Sequence, residues 1–516
     1  MQLYIKQLQR CIAAGVPLIA INTPDYGDSV ADIVSEFSKG LGDITAFNIL
    51  RWDTHRGVIG LTEESTEAAS SINGGEEPGV ATSDPQEVFE RAPKLLPDNT
   101  ILIMDDVHLL IESRDDEVKI GTIQGIRNAR DEFKRNKRFL ILLTPGIKLP
   151  LELVNDFKII TAPFPDAEVL KPKVEYVYTS SGLTIPGEEE IKKSLAATLG
   201  LSRFAAENSL ATSIRKGGMS YQDLWDDKKS YIRQIGGLSV PDQTSSFASL
   251  GGLEGIIRKG QKIINGKRKP VLVVLLDEID KWIVSLGDSN GINADALGQL
   301  LSAFQDYDWD GIVLPGFAGT GKTEWAKAMG NEAGGLFIQM DLGGTKGGIV
   351  GDSERMIRAA IGMLKAMSQG MPVFFVATCN NMSILQTKPE LLRRLSYGIH
   401  FFDLPTPGEQ VPIWNIYIEK FNLPKQEIPM IEGFTGAEIK KACKLADEFG
   451  EPLSETVNGI TPVFRTMGPD GVKNLRKQAS DGWWLSATTG EPYKAPVSKT
   501  LNVEQTKAFI NKKGSN

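Results

Sequence analysis

Cysteine and histidine are scarce in this sequence of 516 residues, which holds three of each. The cysteines Cys11, Cys379 and Cys443 are too few and too scattered for a disulfide framework or a zinc site. Long apolar runs are also missing, since the longest unbroken aliphatic run extends from Val271 to Leu276. A membrane helix needs roughly 20 apolar residues. We therefore expect a cytoplasmic protein that does not enter a membrane.

The sequence has no excess of positive charge either. Its 57 Lys and Arg residues are outnumbered by 65 Asp and Glu, for a net charge of -8. Proteins that coat nucleic acid need clustered Lys and Arg to neutralise phosphates. The short basic runs at 134–138 and 267–269 are interpreted as solvated surface, so nucleic acid is not an expected partner.

A chain of this length predicts several domains. Short apolar runs at 16–21, 101–104 and 139–143 indicate buried strands of an α/β layer that is covered on both faces. Residues 53–98 are rich in Glu, Ser, Gly and Thr, and their composition predicts a mobile surface insertion. Helical periodicity follows at 188–199, 202–214 and 221–235.

The expected architecture is thus an α/β layer followed by a helical unit, twice. We place an α/β domain at 1–166, a helical domain at 167–236, a second α/β domain at 237–406, a second helical domain at 407–480 and a tail at 481–516. Within that tail, the pair Trp483-Trp484 suggests packing on the second helical domain or a contact with a partner.

The strongest motif lies at residues 316–323, which match G-x-x-x-x-G-K-[ST] after an apolar strand and before a helical stretch. In such a loop, successive backbone N–H groups surround the β-phosphate of a nucleotide. Lys322 would offset the β/γ charge, and the Thr323 hydroxyl would take a Mg²⁺ position. The candidate ATP-binding residues of this segment are Gly316, Ala318, Gly319, Thr320, Gly321, Lys322, Thr323 and Glu324.

Two further strands end in residues suited to hydrolysis. The strand at 271–276 is followed by Asp277, which can hold Mg²⁺, and Glu278, which can deprotonate the attacking water. Alternatively, these acids cap the next helix. The strand at 373–378 leads to Asn380, whose amide can bond the γ-phosphate or the water, or can simply be a turn residue. The paired occurrence with the phosphate loop favours ATP and Mg²⁺ as cofactors.

The first α/β domain has part of the same pattern. Its strand from Ile101 ends in Asp105-Asp106, but no glycine-rich loop followed by Lys and Ser or Thr lies near residues 21–25. A triphosphate would find no cradle of backbone N–H groups there. We therefore predict that the first domain is catalytically inactive and serves a structural or partner-binding role.

With these motifs, and with the segments 246–254, 350–355, 377–380, 389–394 and 434–439, the sequence resembles the AAA+ ATPases. Over residues 1–480 it is similar to two-module members of chloroplasts and cyanobacteria, in which a degenerate module precedes an active one. The resemblance implies that Gly436 and Ala437 line the adenine pocket. It also implies that Arg393 or Arg394 acts as an arginine finger on a neighbouring subunit's nucleotide, which requires a ring, commonly a hexamer of identical chains.

The chain order of the motifs is unusual for that family, in which the phosphate loop precedes the acidic strand. Here the acidic strand at 271–276 comes first, together with its helix at about 294–304. A helix over 353–369 must then carry the chain from the strand at the edge of the sheet to the strand at 373–378, two strand spacings or about 10 Å away. Because all strands stay parallel, Asp277, Thr323 and Asn380 can still meet at the carboxyl edge of the sheet.

The leading hypothesis is Mg-dependent ATP hydrolysis by a ring that remodels a protein partner. One alternative is a nucleotide-switched scaffold with slow turnover, and another is a nucleic-acid motor, which the acidic balance disfavours. In the expected pore loop, Ile349 stands where protein unfoldases of the family carry an aromatic residue.

Overall fold

The computed structural model describes residues 3–40, 46–241, 245–288, 292–340 and 352–496. The chain divides into two compact units, residues 1–231 with 362–370 (unit 1) and residues 232–361 with 371–516 (unit 2). The expected pore loop with Ile349 lies outside the described residues. Within the described ranges, every helix is too short or too polar to cross a membrane.

Unit 1 is built on a six-stranded, mostly parallel sheet of order β3-β2-β4-β5-β1-β6. The strands of unit 1 are β1 Leu18–Asn22, β2 Asn48–Asp53, β3 Gly57–Gly60, β4 Thr100–Asp105, β5 Phe139–Thr144, β6 Lys158–Thr161, β7 Ile214–Arg215 and β8 Gly218–Met219. β4 and β5 are buried along their whole length, as their unbroken apolar runs predicted. β2, β3 and β6 were not predicted.

Helices cover both faces of this sheet and form the helical part that follows it. They are α1 Leu3–Ala13, α2 Tyr26–Phe37, α3 Ser65–Asn73, α4 Pro78–Ala81, α5 Pro85–Leu95, α6 Val107–Ile111, α7 Asp116–Arg135, α8 Ala167–Ser180, α9 Glu188–Thr198, α10 Arg203–Ser213 and α11 Tyr221–Gln234. The last three match the helices predicted from periodicity.

The expectation of a mobile insertion at 53–98 is wrong. The segment forms β3, α3, α4 and α5, and Ile72 and Val88 are fully buried in the core of unit 1. Trp52 of β2 donates its indole N–H to the carbonyl of Thr82 at 2.6 Å, and the Thr82 hydroxyl donates to Asn73 at 2.7 Å. The segment is ordered because its few apolar residues share one face, which an average over composition conceals.

Unit 2 contains a five-stranded sheet of order β11-β13-β10-β12-β9, parallel except for β9 at its edge. The strands of this unit are β9 Leu238–Ser239, β10 Leu272–Leu276, β11 Asp310–Pro315, β12 Leu336–Met340, β13 Val373–Cys379, β14 His400–Phe401 and β15 Leu485–Ser486. Leu276 of β10 lies beside Ala377 of β13, and Leu314 of β11 lies beside Thr378. This register brings the ends of three strands to one edge.

The helices of the second half surround this sheet, and those within residues 407–481 form a lid after it. They are α12 Glu254–Ile264, α13 Ile279–Asp288, α14 Ile292–Asp306, α15 Lys322–Ala333, α16 Asp352–Ser368, α17 Met382–Leu385, α18 Pro389–Arg394, α19 Pro407–Lys420, α20 Gly436–Phe449, α21 Leu453–Thr456 and α22 Val463–Asp481, which is kinked at Gly468. α16 lies between β12 and β13 in the chain, and β10 separates those two strands in the sheet, as predicted.

Part of the segment expected to be a tail belongs to the fold of unit 2. β15 pairs with β14, and Trp484 is 2% exposed and packs against Phe401 of β14 at 6.0 Å between ring centroids. Trp484 also donates its backbone N–H to the carbonyl of Ala479 on α22 at 3.1 Å, so it contacts both β14 and the last helix of the lid, whereas Trp483 is 81% exposed. Residues 497–516 lie outside the described residues.

Four neighbouring parallel strands share one spatial order in the two sheets but not one chain order. In unit 1 they stand as β2-β4-β5-β1, and in unit 2 as β12-β10-β13-β11. The strand that occupies the place of β4 in unit 2 is β10. It precedes β11 in the chain, whereas β4 follows β1.

Candidate functional site

A cavity of about 330 Å³ opens at the carboxyl edge of the unit 2 sheet, beneath α19 and α20. This volume lies within the range of roughly 300–1,000 Å³ that is typical of small-molecule sites. Most of the predicted site residues line it, namely Asp277, Glu278, Ala318, Gly319, Thr320, Gly321, Lys322, Thr323, Glu324, Asn380, Gly436 and Ala437.

The loop between β11 and α15 depends on glycine at two closely packed positions. A Cβ atom on Gly316, whose φ is 158°, would lie 2.3 Å from the carbonyl oxygen of Phe402. Gly319 has a φ of 80°, and a Cβ there would lie 2.5 Å from the Thr435 hydroxyl oxygen. Only glycine allows the backbone to run this close to the strand and the lid. Such a loop can surround a phosphate group with backbone N–H donors.

Lys322, the first residue of α15, points back into this loop. It is 7% exposed, and its ammonium donates to the carbonyls of Gly316 at 2.8 Å and Phe317 at 2.7 Å. A third bond joins Nζ to Oδ1 of Asn380 at 3.0 Å. Burial lowers the pKa of Lys322 to about 8. The geometry therefore places one cation at the centre of the loop.

Two hydroxyl groups meet the carboxylate of Asp277 at the end of β10. Thr323 donates to Oδ1 at 3.1 Å, and Thr378 of β13 donates to the same oxygen at 2.6 Å. The parallel register of β10, β13 and β11 brings these three side chains together. Carboxylate and hydroxyl oxygens are the protein ligands that suit Mg²⁺.

Glu278 is held in a sparsely populated backbone conformation with a φ of 49°. Its N–H donates to the Thr378 hydroxyl at 2.8 Å, and its Oε1 accepts from the amide of Asn380 at 3.1 Å. Lys281, one turn further along α13, forms an ion pair with its other oxygen. A left-handed non-glycine residue costs about 1–3 kcal/mol, and such strain is concentrated at functional sites.

Sequence reasoning assigned no role to two residues that support this arrangement, Thr378 and Asp280. Asp280 is 4% exposed and accepts from the N–H groups of Asn380 at 3.3 Å and Asn381 at 3.0 Å. It thereby fixes the loop that carries the Asn380 amide. A third acid so close to Asp277 and Glu278 was the signal available in the sequence.

The lid closes the cavity through the start of α20. The N–H of Ala437, next to Gly436, donates to the carbonyl of Gly319 at 3.2 Å. Thr435 and the buried Glu438 form a capping box, in which Glu438 accepts from the N–H and the hydroxyl of Thr435, each at 2.6 Å. This box anchors the helix end that faces the loop.

Glu324 lies at the side of the cavity and is paired within the protein. Its carboxylate accepts from Lys327 at 3.0 Å and from the Ser245 hydroxyl at 3.0 Å. Burial acts to raise its pKa, but the ammonium of Lys327 and these hydrogen bonds keep the pKa below its usual value. Glu324 is therefore a structural acid beside the cavity as much as a candidate nucleotide contact.

Arg393 and Arg394 lie at the end of α18 and are not among the described residues that line the cavity of their own chain. Arg393 is exposed, and Arg394 donates to the Gln305 side chain at 2.8 Å. The structure of one chain thus brings together the predicted loop, acid, amide and lid residues, but not the two arginines.

Unit 1 presents a different picture at the same edge of its sheet. The cavity after β1 is only about 20 Å³. Beside it, Arg203 donates to the Asp32 carboxylate at 2.9 Å, and the Asp25 carboxylate accepts the N–H of Phe204 at 3.1 Å. These internal pairs occupy the place where unit 2 has its glycine-rich loop.

Comparison with known proteins gives one family match in each half of the chain. Residues 4–162 match the model of the SpoVK-like AAA ATPase N-terminal domain, and residues 312–382 match that of the ATPase family associated with various cellular activities, AAA. The chain contains AAA ATPase domains. This family implies nucleotide binding, with ATPase activity as its general function.

The chain is also similar to relatives that are named as AAA domain-containing proteins. The chain is 22% identical to the uncharacterized AAA domain-containing protein ycf46 of Guillardia theta, over 94% of this chain and 95% of that protein. The ycf46 protein of Trieres chinensis is 23% identical over 70% of this chain and 76% of the relative, and that of Pyropia yezoensis is 22% identical over 70% and 79%. The resemblance to two-module AAA proteins is thereby confirmed.

Proposed function

We propose that unit 2 hydrolyses ATP with Mg²⁺, and that the chain does so as a ring-forming ATPase that remodels a protein partner. The observation that carries the proposal is the convergence of three strand ends on one cavity. Thr323 contacts Asp277 at 3.1 Å, Lys322 contacts Asn380 at 3.0 Å, and Asn380 contacts Glu278 at 3.1 Å.

The residues of the cavity fit a nucleoside triphosphate with Mg²⁺. The loop has the glycines that a phosphate cradle requires, and Asp277 and Thr323 supply oxygens that would hold the metal. Mg²⁺, when bound, supplies positive charge next to the transferred phosphoryl group. Lys322 would bind the β- and γ-phosphate oxygens with its buried ammonium.

Glu278 and Asn380 would have different roles towards the attacking water. The Glu278 carboxylate would accept the proton of the water, because it stands at the strand end beside the Mg²⁺ ligands. Asn380 bonds both Lys322 and Glu278, so its amide would set the distance between the phosphate-binding cation and the base. As a neutral group it does this without adding charge.

The same proposal includes the transposition of the acidic strand within the module. It is supported by the shared spatial order of the two sheets, in which β10 takes the place of β4. A second support is the turn after each strand, since Asp106 has a φ of 57° and Glu278 one of 49°. The AAA match from 312 to 382 also begins after Asp277 in the chain.

Replacing Glu278 by Gln tests the chemistry. The amide cannot take a proton, so we expect phosphate release to fall about 10²- to 10⁴-fold while Mg-ATP binding persists. Glu427→Gln makes the same exchange at an exposed residue and should leave turnover unchanged. Equal phosphate release from Glu278→Gln and wild type would refute the assigned role, and bound ATP without turnover in wild type would support the nucleotide-switched scaffold instead.

The ring is supported by the position of the two arginines. Arg393 is exposed and neither arginine lines the cavity described for its own chain, as expected of groups that act on a neighbour's nucleotide. We expect the molecular mass in solution to rise to a multiple of the chain mass on adding Mg-ATP. At least one of Arg393→Ala and Arg394→Ala should lose turnover but retain binding. Full turnover by a monomer would overturn the ring.

A further inference from the structure

The C-terminal residues 484–493, called the clasp below, return to the α/β layer and reach the cavity. Ala487 donates its N–H to the carbonyl of Phe401 at 2.9 Å, and its own carbonyl accepts the N–H of Ile256 at 2.8 Å. The carbonyl of Thr488 accepts the N–H of Gly255 at 2.7 Å. The clasp is therefore bonded on one side to β14 and on the other to the first turn of α12.

Close packing at Gly255 shows how tightly the clasp is seated. A Cβ atom at this position would lie 2.2 Å from the backbone nitrogen of Gly490 and 2.6 Å from the carbonyl carbon of Thr489. Backbone atoms at such distances cannot yield without moving the clasp itself. Gly255 lies in a helix, where alanine would otherwise be favoured by about 1 kcal/mol.

Thr488 carries the clasp into the wall of the cavity. It is one of the lining residues, and its hydroxyl donates to the carbonyl of Gly252 at 3.1 Å. Gly251, Gly252 and Leu253 also line the cavity, and a Cβ on Gly251 would lie 2.8 Å from the backbone nitrogen of Ile413. Thr488 thus supports a glycine turn that faces the apolar side chains of α19.

Asp403, another lining residue, connects the clasp to the lid. Its Oδ2 accepts from the hydroxyl of Tyr493 at 2.6 Å, and its Oδ1 accepts from Nε of Arg476 on α22 at 2.9 Å. Tyr493 is 7% exposed and packs on Phe401 at 4.8 Å between ring centroids. One carboxylate in the cavity wall therefore joins the clasp to the lid.

We propose that the clasp is a wall of the nucleotide site, with Thr488 a positioning residue at the base end, and that Asp403 and Tyr493 transmit nucleotide binding to the lid. This inference rests on the proposed function, because it takes the ligand to be an adenine nucleotide. Lys322 and Thr323 would bind the phosphate end of the nucleotide. The adenine base needs an apolar wall, which Ile413, Ile416 and Tyr417 provide next to the turn held by Thr488.

Two variants with matched controls test the wall in the full-length protein. Thr488→Val removes the hydroxyl and keeps the shape, while Thr461→Val makes the same change at an exposed residue outside both the clasp and the cavity. Gly255→Ala pushes on the clasp, while Gly408→Ala adds a methyl group with nothing within 4 Å. Titration with a fluorescent ATP analogue and Mg²⁺ should show Kd raised about three- to tenfold in the two test variants, the size of one lost hydrogen bond, and unchanged in the controls.

A second readout separates positioning from mere stability. Steady-state turnover of Thr488→Val should show a raised KM with kcat within about twofold of wild type, since the phosphate end is untouched. Amide exchange at residues 485–490 should slow in wild type on adding Mg-ATP. If Gly255→Ala unfolds, the same measurements on Tyr493→Phe test the proposal. This variant keeps the aromatic ring and removes the hydroxyl that donates to Asp403.

The outcomes separate the inference from the function on which it rests. If wild type binds no Mg-ATP, the proposed function fails and the clasp proposal fails with it. If wild type binds and hydrolyses ATP while Thr488→Val and Tyr493→Phe match it in Kd, KM and amide exchange, the clasp proposal alone is overturned. Weaker binding in the test variants with unchanged controls supports it.

Discussion

Lys228 in the helical part of unit 1 makes an unusually costly buried charge. Its side chain is fully buried, its ammonium donates to the carbonyl of Ala196 at 2.8 Å, and it lies 5.0 Å from the ring centroid of Trp225. Burial lowers its pKa from 10.5 to about 7. Replacing Lys228 by Met, which has similar length and no charge, should therefore stabilise unit 1.

The sign and size of this stability change follow from the coupling between protonation and folding. The pKa is lower in the folded state, so the penalty is fully present below about pH 7 and disappears as the pH rises towards 10.5. At pH 7 a shift of this size costs about 4 kcal/mol, at about 1.4 kcal/mol per pKa unit. Leaving the Ala196 carbonyl without its donor costs about 1 kcal/mol, so the net gain of Lys228→Met is about 3 kcal/mol. Near pH 10 the penalty and this cost cancel, to about 0 kcal/mol.

Urea unfolding of unit 1 followed by tryptophan fluorescence, at pH 7 and at pH 10, measures this difference. Amide exchange of α9 and α11 reports the same change locally. The matched control is Lys229→Met, which removes an ammonium that is paired with Asp226 at 3.0 Å near the surface and should change stability by less than about 1 kcal/mol. If Lys228→Met does not raise the free energy of unfolding at pH 7, or raises it equally at both pH values, the reasoning is refuted.

Three further predictions concern the site. Gly319→Ala places a Cβ 2.5 Å from the Thr435 hydroxyl oxygen and should weaken Mg-ATP binding at least about tenfold. Gly334→Ala has a similar positive φ in open space and should leave binding unchanged. Equal Kd values for the two variants would contradict the packing argument. Asp280→Asn should lower kcat about tenfold with little change in KM, because it loosens the turn of Asn380, and a change in KM alone would argue against this role. Calorimetric titration should find one nucleotide per chain, since the unit 1 cavity is about 20 Å³, and two would show that unit 1 also binds.

Local patterns carried the parts of the site that consecutive residues build. A phosphate loop is made by neighbouring backbone N–H groups and one lysine, so the segment 316–323 was legible without any knowledge of distant contacts. Buried parallel strands are continuous apolar runs, so β4, β5, β10 and β13 were legible too. Their acidic and amide ends could be expected at one edge because parallel strands end together.

Average composition misled where periodicity mattered. Residues 53–98 contain enough Glu, Ser and Gly to suggest disorder, yet Ile72 and Val88 anchor helices in the core. Trp484 carried no signal of its partner, because Phe401 lies far away in the sequence. Burial of such residues depends on which surfaces the folded chain brings opposite them.

The sequence alone determined the place of the phosphate-loop motif in unit 2 and the lack of such a motif in unit 1, because each depends on a short contiguous segment. Only the tertiary structure decided that Thr378 bonds Asp277, and that Asp280 holds the N–H groups of Asn380 and Asn381. It also decided that Asp403 joins Arg476 to Tyr493. These are contacts between segments far apart in sequence, and they are set by how the sheet edge and the lid close, which no local pattern of residues encodes.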